Sequence, residues 1–152
     1  MLGLKIAAVF FMSAAIGVLY RVPRRLLFYD GMVGVLSWLV VYTTLQSGGN
    51  IILADFLGSI AIGIIAELLA RLLRKPATIF IIPGFIPLVP GGEAYTTIRF
   101  LVEGRYAEGV AMGMKTLMIG GAIAFGIFVS STVYRLVINY NVENSTEHVR
   151  KN

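Results

Sequence analysis

The sequence predicts an all-α integral membrane protein with about five transmembrane helices, the fourth of which is broken by an unwound segment rich in proline and glycine. Of the 152 residues, 57% are hydrophobic and 14% are charged, whereas soluble domains carry about 25% charged residues. A helix needs about 20 apolar residues to cross a bilayer core. Runs without Asp, Glu, Lys or Arg recur at 6–20, 31–54, 56–66, 76–92 and 116–134. They predict one transmembrane domain over 1–140, followed by a polar tail over 141–152.

The first helix is predicted over 6–20. Lys5 precedes this run and a cluster of arginines at 21–25 follows it, whereas a signal peptide carries its basic residues before the apolar run. A small-residue triplet at 13–15 leaves cleavage as the alternative. Because the basic flank of a span lies on the cytoplasmic side, the charge order favours a transmembrane helix with its N-terminus outside.

The second helix is predicted over 25–45 and the third from about residue 55 to 71–74. The turn-forming cluster between them, 46–50, contains no basic residue, whereas the connector at 71–76 holds three. The 46–50 loop is therefore expected outside and the 71–76 connector in the cytoplasm.

Three acidic residues in this part of the chain have predicted structural roles. Asp30 and Asp55 fall at expected helix starts, where they would cap the helix or remain hydrated. Glu67 and Arg71 have the favourable i,i+4 order and are expected to pair at the end of the third helix.

The fourth apolar run cannot form a regular helix, since each interior proline removes an amide donor and clashes with the carbonyl four residues earlier. We expect a half-helix over 77–82, an unwound stretch over 83–92 and a second helix over 93–103 that is closed by Gly104. Glu93 suits the positive end of the second helix. Whether this segment crosses or re-enters the membrane stays open; if it crosses, the five spans place the C-terminus in the cytoplasm.

The last helix is predicted over 106–140. Its core is rich in Gly, Ala and Ser, which allow helices to approach closely in lipid. Lys115 enters this span and would either extend to the head groups or face a cavity. Association of identical chains is left open.

The sequence contains no pattern typical of an enzyme or a metal site. It has no cysteine, and its one histidine, His148, lies in the polar tail, so thiolate chemistry and intramembrane imidazole chemistry are excluded. No phosphate loop or nucleophile elbow is present. The net charge of +5 comes from bases that flank apolar runs, and no basic stripe with aromatics points to nucleic acid. No catalytic residue, cofactor or metal is expected.

The unwound segment is the predicted substrate-binding site. In lipid, irregular backbone persists only when it is buried in protein or lines a water-filled cavity, and broken helices form such sites in secondary transporters. A carboxylate-bearing solute would be held by Arg99 and by the start of the second half-helix. The expected contacts are Pro83, Gly84, Pro87, Pro90, Gly91, Gly92, Tyr95, Thr97 and Arg99. The alternatives are a structural kink and an Arg99 that extends to lipid head groups.

Three segments resemble the threonine/serine exporter family: VPRR at 22–25, the AELLARLLRKPAT segment that ends at Thr78, and IPGFIPLVPGGEAYTT at 82–97. Their order and spacing cover essentially the whole chain, and they are similar to the small-subunit form that makes up half of a two-component exporter. The resemblance implies an inner-membrane exporter of small polar metabolites, either threonine- or serine-like amino acids or small dicarboxylates. It also implies a larger membrane subunit as partner.

The chain is therefore predicted to be a subunit of a secondary-type exporter in the lipid bilayer. An ion gradient is the expected driving force, because the chain has no nucleotide-binding motif. The alternative is an accessory or scaffolding membrane protein that packs through its last helix and transports nothing.

Overall fold

The computed structural model describes the backbone of residues 2–150 and the side chains of 2–134 and 136. The side chains of the predicted polar tail, His148 among them, lie outside the described part, and the division of the chain at residue 140 stays a prediction. The helices are α1 (Leu2–Leu19), α2 (Leu27–Gln46), α3 (Ile51–Leu73), α4 (Thr78–Phe85), a 3₁₀ turn (Ile86–Leu88), α5 (Gly91–Val102) and α6 (Tyr106–Arg150).

The predicted all-α membrane fold is confirmed. Helices α1, α2 and α3 and the stretch Tyr106–Tyr134 of α6 are each long and apolar enough to span a bilayer. The remaining unit, Thr78–Leu88 followed by Gly91–Val102, is bent by 53° and has the composition of one broken span. The count is four spans, or five if the bent unit crosses.

The unwound segment is shorter than predicted. Pro83 and Gly84 lie inside α4, and Gly91 and Gly92 form the first turn of α5, so only the 3₁₀ turn and residues 89–90 depart from α-helical geometry. Tighter 3₁₀ bonds replace the lost helical ones, as in the bond from the Val89 amide to the Ile86 carbonyl.

Helix α6 runs to Arg150, beyond the end predicted near residue 140. The chain contains no glycine or proline after Gly126, so nothing in its sequence stops the helix there. The other predicted boundaries are close to the observed ones. Gly104 follows α5 with a φ of +75°, a left-handed conformation that favours glycine.

Helices α2 and α3 form the centre of the bundle. Helix α1 packs on α2, α6 packs on α3, and α4 lies across α2 and α3. The largest fully buried aliphatic and aromatic side chains lie where these helices meet, and they are Val33 of α2, Ile62 of α3, Phe80 of α4 and Ile119 of α6. Helix α5 packs on α6 and buries no side chain fully.

Helices α3 and α6 approach closely through small residues. Gly126 lies against Ser59, Gly63 lies against Ser130, and the rings of Phe56 and Phe125 stack with centroids 6.0 Å apart. Close packing replaces the hydrophobic driving force that is absent between helices in lipid. It also fixes α6 beside the start of α3, where the polar side chains described below meet.

We predict that Gly126→Ala destabilises the bundle by about 1–3 kcal/mol, the usual cost of overpacking. A Cβ at this position would lie 2.7 Å from the Phe56 carbonyl oxygen, a backbone atom that cannot rotate away. Gly121→Ala on the same helix is the control, since its Cβ would meet no atom within 4 Å. Thermal unfolding in detergent checks this, and equal melting temperatures for the two variants would contradict it.

Candidate solute site at the helix break

A cavity of about 240 Å³ opens where α4 gives way to α5. It is bordered by the second half of α2, the first turns of α3, the break itself and one residue of α6. Its lining residues are Trp38, Val41, Leu45, Ile51, Asp55, Pro87, Leu88, Val89, Pro90, Glu93 and Ile119. The break predicted from the prolines therefore borders a cavity, which is one of the two settings in which irregular backbone persists at membrane depth.

Neighbouring helices hold the break in place. The Ser37 hydroxyl donates hydrogen bonds to the Gly34 carbonyl at 2.9 Å and to the Gly84 carbonyl of α4 at 3.3 Å. Gly58 of α3 lets Leu88 approach, because a Cβ at residue 58 would lie 3.0 Å from the Leu88 Cδ2 atom. The 3₁₀ turn is thus pinned between α2 and α3.

Two carboxylates line this cavity, and one ammonium group lies next to the second of them. Asp55 is only 4% exposed, and no hydrogen bond or ion pair among the described residues involves its side chain. Glu93 lies close enough for the two negative charges to repel. The Lys115 Nζ atom of α6 lies 3.8 Å from the Glu93 Oε1 atom, which places this half-exposed lysine beside the cavity although it does not line it.

The expectation that Asp55 caps a helix is wrong. Asn50 caps α3 instead, and its Oδ1 atom accepts a hydrogen bond from the Ile52 amide at 2.6 Å. Asp55 therefore lies one turn inside the helix, where burial of an ionisable group in a membrane protein points to a functional site.

The start of α5 adds amide donors beside these side chains. No side chain caps this helix, and the amides of Gly92 and Glu93 belong to the first turn, which has no intrahelical acceptors. A Cβ at Gly91 or Gly92 would meet no atom within 4 Å, so the space around this helix start is open. Such a helix start carries a partial positive charge and binds anionic groups.

The structure divides the predicted proline and glycine contacts into two groups. Pro87 and Pro90 line the cavity, and Gly91 and Gly92 follow directly at its edge. Gly84 is buried against Val33. Pro83 borders a separate, smaller cavity of about 100 Å³.

The structure does not bring the three predicted side chains of α5 to this cavity. Tyr95 is 70% exposed, and the Thr97 hydroxyl donates to the Glu93 carbonyl at 2.8 Å. The Arg99 Nε atom lies 2.7 Å from the Glu103 Oε1 atom. That hydrogen bond holds the pKa of Glu103 below its ordinary value.

Among the lining residues that were not predicted as solute contacts, Trp38, Asp55 and Glu93 carry polar groups, and the adjacent Lys115 was not predicted either. The sequence does mark Asp55 as a candidate site residue, because it is a single acid between two long charge-free runs. Nothing in the sequence shows that Lys115 and Glu93 meet, because that contact depends on how α5 folds back along α6.

A second cavity, of about 520 Å³, lies at the opposite end of α3 and α4, and Ser131 of α6 also borders it. Glu67, Arg71 and Lys75 line it. The predicted pair of Glu67 with Arg71 is not among the ion pairs of the described side chains, and the Arg71 guanidinium instead lies over the Tyr134 ring, 5.5 Å from its centroid. The cation–π contact turns this arginine toward α6.

A helical membrane bundle with a broken helix, and with a cavity toward each end, has the architecture that secondary membrane transporters use. A family model described as Threonine/Serine exporter, ThrE, matches residues 5–133. The chain belongs to this threonine/serine exporter family, which confirms the resemblance drawn from its three motifs. No solved structure matches the chain.

We predict that Trp38 reports solutes that enter the cavity at the break. It is the one tryptophan of the chain, it lines the cavity, and its ring stacks on Tyr42 with centroids 5.2 Å apart. Threonine or serine should shift its emission in a saturable way, since occupation of the cavity changes the polarity around the indole. A shift equal to that caused by a polyol of similar size would contradict solute-specific binding, and Trp38→Phe controls for background.

Proposed function

We propose that the chain is a subunit of a secondary exporter that carries zwitterionic hydroxy-amino acids such as threonine and serine, and that the cavity at the helix break binds them. The observation that supports this is the meeting of groups of both signs at one cavity. Asp55 and Glu93 supply acceptors for an ammonium group, while the first-turn amides of α5 and Lys115 supply donors for a carboxylate.

This charge pattern favours an amino acid over a dicarboxylate. Two carboxylates of the protein border the cavity, and a doubly negative solute would bring two more. Like charges in a partly buried site repel strongly, since screening by solvent is weak there. An amino acid instead places its ammonium group near Asp55 and its carboxylate near the α5 start, and the hydroxyl of threonine or serine is left to a backbone carbonyl of the break.

The two cavities fit an alternating route along α3 and α4. The cavity at the break and the cavity at Glu67 and Arg71 are separated by side chains of the bundle core. Ile62 of α3 packs against Gly84 of α4 between them. Opening one cavity while the other stays closed would require only a shift at this contact and at the nearby break, where helical hydrogen bonds are already absent.

The orientation of this route follows from the basic residues. The connector after α3 holds Arg74 and Lys75, whereas the loop before α3 holds no basic residue. We infer an inner-membrane protein with its N-terminus outside, the cavity at the break toward the outside, and the cavity at Glu67 and Arg71 toward the cytoplasm. With five spans, the C-terminus is cytoplasmic.

A larger membrane subunit of the same family would complete the transporter. Large apolar side chains remain exposed along the α5–α6 hairpin, among them Val102, Leu117 and Phe128. Lipid can cover such residues as well. However, the four or five candidate spans of one chain provide few helices to enclose a solute path. The transport test below therefore includes the chain with and without this subunit.

Asp55→Asn should lower threonine efflux at least tenfold. The change removes the charge that would hold the solute ammonium group while leaving the side-chain volume unchanged. The measurement is efflux from cells loaded with a threonine-containing dipeptide, in a strain that lacks the chain and is complemented with each variant, with and without the larger subunit.

The matched control is Glu108→Gln. Glu108 is 51% exposed and pairs with Arg105 at the far end of the α5–α6 hairpin, so efflux should be unchanged. Arg99→Gln tests whether the solute site extends along α5. Loss of efflux would show that Arg99 belongs to the site, and retained efflux would limit the site to the first turn of α5. Unchanged efflux on deletion of the chain would refute the transport role and favour the accessory one.

Single-cysteine variants test the orientation, because the chain has no native cysteine. Ser47 and Lys75 are both exposed and lie at opposite ends of α3. Ser47→Cys should react with a membrane-impermeant maleimide in intact cells, whereas Lys75→Cys should react only after permeabilisation. The reverse pattern would invert the proposed topology.

A further inference from the structure

We infer that the Asp30 carboxyl is a proton-binding site, and that release of this proton is coupled to opening of the contact between α1 and α2. The inference rests on the proposed function, since it identifies the ion whose gradient would drive a secondary exporter. It concerns a different part of the molecule from the solute cavity.

Asp30 is an acidic side chain in the interior of the helix bundle. It is completely buried, and neither of its carboxyl oxygens has a hydrogen-bond partner among the described residues. Asp30 was expected to cap α2 or remain hydrated at its start, but α2 begins at Leu27 and places this residue against α1. A charged carboxylate without a partner is strongly disfavoured in such a site, so the closed contact holds the neutral, protonated form.

The space and the oxygen atoms around the Asp30 carboxyl fit a proton and not a larger ion. A Cβ at Gly17 would lie 2.5 Å from the Asp30 Oδ2 atom and 2.9 Å from the Leu27 Cδ2 atom, so the carboxyl is enclosed by α1 and its own helix without room for a hydrated ion. Among the described side chains, the other buried oxygen without a partner is that of Ser13. A carboxyl and one hydroxyl fall short of the about six to eight oxygens that Ca²⁺ takes.

No neighbouring charge neutralises Asp30 in place of a proton. Helix α1 carries one titratable group, Lys5, and α4 carries none, while α3, which also packs on α2, carries Asp55, Glu67 and Arg71. The turn between α1 and α2 carries Tyr20, Arg21, Arg24 and Arg25, and α2 itself carries Tyr29 and Tyr42. None of these side chains forms a hydrogen bond with the Asp30 carboxyl.

The contact that encloses Asp30 is connected to the helix break. Gly34 lies one turn after Asp30 on α2, and a Cβ there would collide with the Ser13 hydroxyl of α1 and lie 3.7 Å from the Pro87 Cγ atom. Helix α1 also packs directly on the 3₁₀ turn. A shift of the break during solute passage therefore moves the surface on which α1 rests, and separation of α1 from α2 exposes Asp30 to water.

Each opening of the contact between α1 and α2 releases one proton from Asp30. In the closed contact the Asp30 carboxyl holds one proton on an oxygen. When the contact opens, the O–H bond breaks, the proton passes to water, and the carboxylate remains until it is protonated from the other side. Exchange of one proton for one solute then ties uphill efflux to downhill proton flow.

Infrared difference spectroscopy of the assembled exporter tests the protonation directly. The wild type should show the C=O band of a buried carboxylic acid at neutral pH, and Asp30→Asn should lack it. Glu103→Gln, which changes an exposed carboxylate in the turn after α5, should keep it. Persistence of the full band in Asp30→Asn would overturn the inference, and this readout does not depend on the solute.

Transport in proteoliposomes tests the coupling. Asp30→Asn mimics the protonated carboxyl, so threonine counterflow should stay within about twofold of the wild type, while acceleration by an imposed pH gradient should fall about tenfold. Glu103→Gln should keep both. Retained acceleration in Asp30→Asn, or acceleration by a sodium gradient in place of a pH gradient, would overturn the inference, whereas absence of counterflow in the wild type would refute the proposed function instead.

Discussion

The pairing of backbone polar groups in lipid is the constraint on which the rest of the structure depends. Pro83, Pro87 and Pro90 remove amide donors that a spanning helix needs, and hydrocarbon provides no substitute. The chain answers with a 3₁₀ turn, with the Ser37 hydroxyl bonded to the Gly84 carbonyl, and with a cavity beside residues 87–90. The broken helix and the open amides at the α5 start both follow from this one requirement.

Close packing determines where these polar groups meet. Between helices in lipid, association depends on van der Waals contact and hydrogen bonding, so positions without a Cβ decide which helices can touch. Gly126 allows α6 to lie against the Phe56 backbone, and Gly58 allows α3 to approach both Val41 and Leu88. These approaches bring the first turns of α3 beside the break and place Asp55 at the cavity. Larger side chains at the same positions would separate the helices and leave the acid in lipid.

The sequence predicts the parts of the fold that depend on local composition. The charge-free runs locate the spans, and Gly104 marks the end of α5. The extent of the break was overestimated, because a proline removes one donor but does not by itself prevent 3₁₀ bonds on either side. The site was predicted only at the break, since the meeting of Asp55, Glu93 and Lys115 depends on three different helices. Arg99 shows the converse. Its i,i+4 partner Glu103 is visible in the sequence, and the structure pairs the Arg99 guanidinium with this glutamate and not with the cavity.

One face of α2 joins the two halves of the proposed mechanism. Asp30, Gly34, Ser37 and Val41 recur at the spacing of a single helical stripe, and all four are buried. Along this stripe the helix contacts α1, then the broken helix, then the cavity. Because packed helices shift as units between discrete arrangements, a displacement at either end of the stripe is felt at the other. An unpaired carboxyl at one end and the cavity at the other are therefore two positions on the same helix face.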